Sequence, residues 1–150
     1  MNKAKSNTNK LIHRSRISFI TLQVFNGLSA LAGGYGIIGD PTGKALQMDS
    51  SLLANSPFEN FLIPGIVLFV VNGLGNAVGA MLSILKTKHA PSVALLFGLI
   101  LMAWIISQVF WIGYTSFLQF LYFITGAMQF IAALIFIREF KKNRITRTVI

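Results

Sequence analysis

Eight side chains that can hydrogen-bond without changing charge near neutral pH lie within otherwise apolar stretches: Gln23, Asn26, Asn72, Asn76, Gln108, Gln119, Tyr122 and Gln129. Amides and a phenol can bolt helices to one another or hold the polar part of a small ligand. They cannot relay protons as a buried carboxylate or imidazole does, and no Asp, Glu or His accompanies them inside those stretches. That absence excludes a proton-coupled exporter built around an intramembrane acid. Both histidines, His13 and His89, flank the apolar stretches and are too isolated for a catalytic pair or a metal site. No serine has a convincing His and acid partner at its level, so no catalytic residues are assigned.

The stretches that carry these side chains are four uncharged runs, about residues 17–39, 63–85, 92–112 and 117–137. Each is close to the ~20 residues an α-helix needs to cross ~30 Å of hydrocarbon. Twelve of the 13 Lys and Arg residues lie in three short stretches that alternate with them: Lys3, Lys5, Lys10, Arg14 and Arg16, then Lys86 and Lys88, then Arg138, Lys141, Lys142, Arg144 and Arg147. The loop of residues 40–60 has the opposite balance, Lys44 against Asp40, Asp49 and Glu59. Basic segments stay on the cytoplasmic side. The expected fold is therefore an all-α polytopic membrane protein, a bundle of four transmembrane helices in a single domain of residues 1–150 with both termini inside. The basic ends, 1–16 and 138–150, face the anionic leaflet. A hydrophobic content of 54% and a mean hydropathy of +0.68 fit a chain solvated mostly by lipid. The net charge of +9 is accounted for by this distribution, so no nucleic-acid partner is implied. With no cysteine, disulfides and thiolate chemistry are excluded.

The N-terminus permits a second reading. A basic segment, an apolar core and Ser29-Ala30-Leu31-Ala32 resemble a cleavable signal, and cleavage after Ala32 would leave three spans. The apolar character runs on to Gly39, and Gln23 and Asn26 suit a signal core poorly, which favours a retained first span.

In the outer loop, Asp40-Pro41-Thr42-Gly43 reads as a turn. Thr42-Gly43-Lys44 is not a phosphate loop, since it lacks the first Gly and the hydroxyl after Lys. Asp49-Ser50-Ser51 is placed to cap a short interfacial helix through Leu52, Leu53 and Ala54. Ser56-Pro57-Phe58-Glu59 fits a helix start, with Ser56 as N-cap, Pro57 at N1 and Glu59 reaching back to the cap. A kink is then expected at Pro64-Gly65. Asp40, Asp49 and Glu59 could surround a cation, but the turn and the cap already employ two of them, and no metal or other cofactor is assigned.

The segment SPFENFLIPGIVLFVVNGLGN, Ser56 to Asn76, together with Gly33-Gly34-Tyr35-Gly36 and Asp40-Pro41-Thr42-Gly43, resembles a group of small uncharacterised bacterial four-span membrane proteins over about residues 31–79. The resemblance implies a fold and a location in the cytoplasmic (inner) membrane, and no activity.

Spacing places the polar residues on inward faces. Gln23, Asn26, Ala30 and Gly33 recur every three or four residues, as do Asn72, Gly75, Asn76, Gly79 and Ser83, and Gln119, Tyr122, Gly126, Gln129 and Ala133. Gly33, Gly75, Gly79 and Gly126 are the candidate close-packing positions. At ~1.5 Å per residue, Asn26, Asn76 and Gln129 each fall ~13 Å from the inner face and should form one layer. Gln108 and Gln119, with Tyr122 or Ser107, should form a second group toward the outside. Two functions fit such a polar seam. One is a non-enzymatic subunit that assembles with itself or with a larger membrane complex. The other is a binder or carrier of a lipid-like or small amphipathic molecule. Membrane lipids are partners in both.

Overall fold

The computed structural model describes the backbone of residues 2–148 and the surroundings of side chains 6–142. Lys3, Lys5, Arg144 and Arg147 of the basic ends lie outside the described side chains. Four helices are long and apolar enough to span a membrane. We number them α1 (Asn2–Gly39), α2 (Leu62–Ile84), α3 (Ala90–Ile112) and α4 (Phe117–Thr148). At the end of the bundle away from the basic segments, the helices stop where the apolar runs stop. Gly39 precedes the Asp40-Pro41 turn, and Gly113, at φ 73°, ends α3 in a left-handed conformation that glycine adopts without strain. Ser116 then accepts from the amide of Leu118 at 3.2 Å and starts α4.

The helix ends at the basic segments do not stop at the charges. Both α1 and α4 continue as helix through the basic segments, because Lys and Arg are good helix formers and no Gly or Pro interrupts them.

Neighbouring helices are antiparallel. Phe19 meets Phe136 edge-on at 5.6 Å while Phe25 stacks on Tyr122 at 6.0 Å, which runs α1 against α4. Contacts of Gly27 with Ala77 and of Gly65 with Ile37 run α1 against α2. The start of α1, the end of α4 and the 85–89 link therefore share one end of the bundle, and the described cations other than Lys44 gather there. Arg16 lies over the Phe136 ring at 5.2 Å, tying the basic end to the apolar cluster of Phe19, Ala94, Ala132, Ala133 and Phe136. At most a third of each apolar window is buried inside the bundle. Phe110 and Tyr35, 77% and 75% exposed, belong to an outer surface that is apolar almost throughout. Water would penalise that surface; hydrocarbon accepts it.

The link between α1 and α2 holds two 3-10 turns, Lys44–Leu46 and Ser50–Leu53. Asp49 caps the second, accepting from Ser51 N at 2.9 Å. The helix start expected at Ser56 is not there. Ser56 Oγ donates to Leu53 O at 2.9 Å and accepts from Phe58 N, closing a local turn, while Pro57 and Glu59 lie in irregular, exposed chain. The helix begins at Leu62, where Asn60 Oδ1 accepts from Leu62 N at 2.9 Å. Pro64 explains the shift: a proline is tolerated in the first helical turn, whose amides lack intrahelical partners, and is costly two turns further in. The predicted break at Pro64-Gly65 accordingly gives way to a helix start. The irregularity of α2 comes one turn later, as a π-helix over Leu68–Leu74 between α-helical segments Leu62–Val67 and Gly75–Ile84.

Candidate functional site: a hydrogen-bonded node inside the bundle

Every helix contributes to one buried polar cluster. Gln129 of α4 is fully buried and uses both ends of its carboxamide. Its Oε1 accepts from Asn26 Nδ2 of α1 at 2.9 Å, and its Nε2 donates to Asn76 Oδ1 of α2 at 3.0 Å and to the Ala94 carbonyl of α3 at 2.9 Å. Thr125, one turn away on α4, donates to Asn26 Oδ1 at 2.8 Å, and Asn76 Nδ2 donates to its own helix at Asn72 O. Asn26, Asn76 and Gln129 thus form one layer that binds all four helices, with burial of at least 98% at each carboxamide.

A second pair lies toward the basic end. Ser83 Oγ is within 2.9 Å of Gln23 Oε1 and 2.7 Å of Gly79 O; its single proton serves one of these acceptors at a time. Gly79 leaves room for Gln23, since a Cβ there would collide with the Gln23 amide nitrogen unless that side chain shifted. Gly75 cradles the Phe97 ring in the same way, so the GxxxG pair of α2 accepts side chains from two different helices instead of one helix backbone. Gly126 does approach backbone, with its Cβ position 3.1 Å from Gly98 O, whereas Gly33 makes only an ordinary contact with Leu68 at 3.5 Å.

The outer polar group does not assemble. Gln119 turns onto the α3–α4 link, where its Oε1 accepts from Thr115 N and Ser116 N and its Nε2 donates to Gly113 O at 3.1 Å. Unpaired amides at a helix start outcompete a distant amide partner for such a side chain. Gln108 is half-buried on α3, Ser107 is exposed, and Tyr122 engages Phe25 through its ring. Thr125 belongs to the node although the sequence reading passed over it; its position four residues before Gln129 was the available signal.

Asn72 is the exception inside the seam. It lies in the π-helix, 1% exposed, and neither its Oδ1 nor its Nδ2 has a partner. The Gln23 Nε2 and Trp104 Nε1 donors are also buried without partners. An unsatisfied carboxamide in a low-dielectric interior is costly, and π-helices often sit at functional positions.

Among the described residues, no three His, Asp or Glu side chains converge on a point that could hold a metal ion. Asp40 accepts from Thr42 Oγ1 at 2.6 Å and from Ala45 N at 2.8 Å; the Thr42 hydroxyl first, then the Ala45 amide, holds its carboxyl below the usual carboxylate range. Asp49 is lowered by its cap to Ser51. Both acids are thus occupied with loop geometry. No known protein family, characterised protein or solved structure matches the chain.

Proposed function

We propose that this chain is a non-enzymatic integral membrane protein, a compact helix-bundle subunit or assembly partner in a bacterial cytoplasmic membrane, with both termini in the cytoplasm. The observation that carries the reading is Gln129, whose carboxamide reaches α1, α2 and α3 at once. A seam whose amides spend themselves on each other is built to hold helices in one arrangement, and it leaves the outer faces to make associations. The first span supplies Gln23 and Asn26 to the seam, which favours its retention over its removal as a signal. The positive-inside balance supports the orientation, and membership of the group of small four-span bacterial proteins that the 31–79 segment resembles is part of the proposal.

Extraction into polymer-bounded native membrane discs followed by mass spectrometry tests it. A protein partner or a second copy at fixed stoichiometry is expected; a monomeric particle without one refutes the assembly role. The chain has no cysteine, so Lys44→Cys and Lys86→Cys test orientation cleanly. An impermeant maleimide should reach only the first from outside intact cells, and equal reaction of both overturns the topology.

One observation favours the second function, a binder of a lipid-like or small amphipathic molecule. Asn72 presents a free donor and a free acceptor at mid-span depth, as a site for a guest carbonyl or hydroxyl would. Discs that retain one small molecule with the wild type and lose it with Asn72→Leu would establish that function.

A further inference from the structure

A groove of about 320 Å³ runs along the outside of the bundle between α1 and the basic-end half of α2. Its floor is made by the small residues Gly27, Ala77 and Ala80, and its walls by Leu28, Met81 and Leu85, 64%, 53% and 66% exposed. All of its lining side chains are apolar, and Leu85, its last lining residue on α2, is followed in the chain by Lys86.

Lys86 is held there at a cost. The end of α2 is a Schellman turn, in which Thr87 N donates to Leu82 O at 3.1 Å and Lys86 N to Ser83 O at 3.2 Å. The first residue past the helix cap in such a turn requires a left-handed backbone, and here it is Lys86, at φ 56°, where glycine would be unstrained. A lysine in a glycine position, directly after a residue that lines an apolar groove, is an outlier from which function can be argued. On α1, Lys10 lies on the same helical face as Leu28, five turns away, and adds charge to the same end.

We propose that this groove seats one acyl chain of an anionic phospholipid whose phosphate is held by Lys86. The occupant must be apolar for the length of the groove and anionic at the basic end, and a phospholipid of the cytoplasmic leaflet has that form. A second copy of the chain does not. At the groove's basic end a second copy in the same orientation offers no anionic partner for Lys86: of the chain's four acids only Glu139 lies in the basic segments, against twelve Lys and Arg.

The test is native mass spectrometry of the purified full chain with equimolar phosphatidylglycerol and phosphatidylcholine of matched chains. Wild type should retain one phosphatidylglycerol in preference. Lys86→Gly, which keeps the turn and relieves its left-handed residue, should lower that retention about fivefold, the equivalent of the ~1 kcal/mol that one lysine contributes near an anionic surface. Lys88→Gly should leave it unchanged, and Ala77→Leu, which fills the groove from an exposed position, should lower retention with the fold intact. Equal retention of the two lipids, equal losses from Lys86→Gly and Lys88→Gly, or retention untouched by Ala77→Leu would each overturn the site. Thermal unfolding of each variant without added lipid separates lost binding from lost folding.

Discussion

Replacing Gln129 with leucine is the sharpest test of how the bundle is held together. The substitution keeps a side chain of similar size in a fully buried position and removes three hydrogen bonds, to Asn26, Asn76 and the Ala94 carbonyl. At ~0.6 kcal/mol for each interhelical bond in a membrane, the direct loss is ~2 kcal/mol. Asn26 Nδ2 and Asn76 Oδ1 are then left buried without partners, and a stranded group costs ~1 kcal/mol or more. The expected destabilisation is therefore ~2–4 kcal/mol, read by denaturant unfolding in bicelles. Removing the stranded partners should relieve part of it, so Asn26→Leu, Asn76→Leu and Gln129→Leu combined should cost less than the sum of the three single changes. A single-variant cost below ~0.5 kcal/mol would show that Gln129 does not join the helices. Strict additivity of the three would show that they do not act as a unit.

Other positions give contrasting outcomes. Asn72→Leu deletes two unpartnered polar atoms, so in bicelles without added ligand it should stabilise by ~1–2 kcal/mol, opposite in sign to Asn76→Leu, and a loss of stability would refute the assignment of Asn72 as unsatisfied. Gly98→Ala places a methyl 2.8 Å from Phe130 N and 2.9 Å from Gly126 O, backbone that cannot yield, and should cost ~1–3 kcal/mol by forcing α3 from α4; Gly33→Ala, with only Leu68 at 3.5 Å, should be neutral or stabilising in the same unfolding assay. The Asp40 loop has a defined acid limit. Because the folded carboxyl titrates below its ordinary value of about 3.8, its bonds to Thr42 and Ala45 contribute fully above that pH and are lost as pH falls through the folded value, so the Ala45 amide resonance should hold steady from pH 7 to 5 and move only below about pH 4. A midpoint above pH 4, or the same transition in Asp40→Asn, would refute it.

The legible parts of this fold were those in which one force acts alone. The helix ends at Gly39, Ile112 and Phe117 coincide with the ends of the apolar runs because turn-forming residues adjoin them directly. The Asn26, Asn76 and Gln129 layer followed from rise per residue and alternating direction, since buried amides at one depth have only one another to bond. Where two forces compete, the pattern misled. Ser56, Pro57 and Glu59 have the residue types of a cap, but Pro64 fixes the helix start near itself. Gln119 has the phase of the seam, but it lies in the first turn of α4, where free amides claim it. The π-helix left no mark in the residue pattern; it is the part of α2 that packs closely on α1, where Gly34 faces the Phe69 backbone and Gly73 faces Leu31.

That π segment has a consequence for chain length. A ring closed at i→i+5 accommodates more residues per turn than the i→i+4 ring on either side of it. Between Leu68 and Leu74, α2 therefore carries slack that the rest of the bundle does not have. Shortening the chain by one residue there lets the helix tighten to α while Asn76, Gly79 and Ser83 keep their mutual phase. The same deletion between Gly75 and Ile84 would turn part of that stripe away from Gln23 and Gln129. Length variation among natural or selected forms of this protein should concentrate in those seven residues.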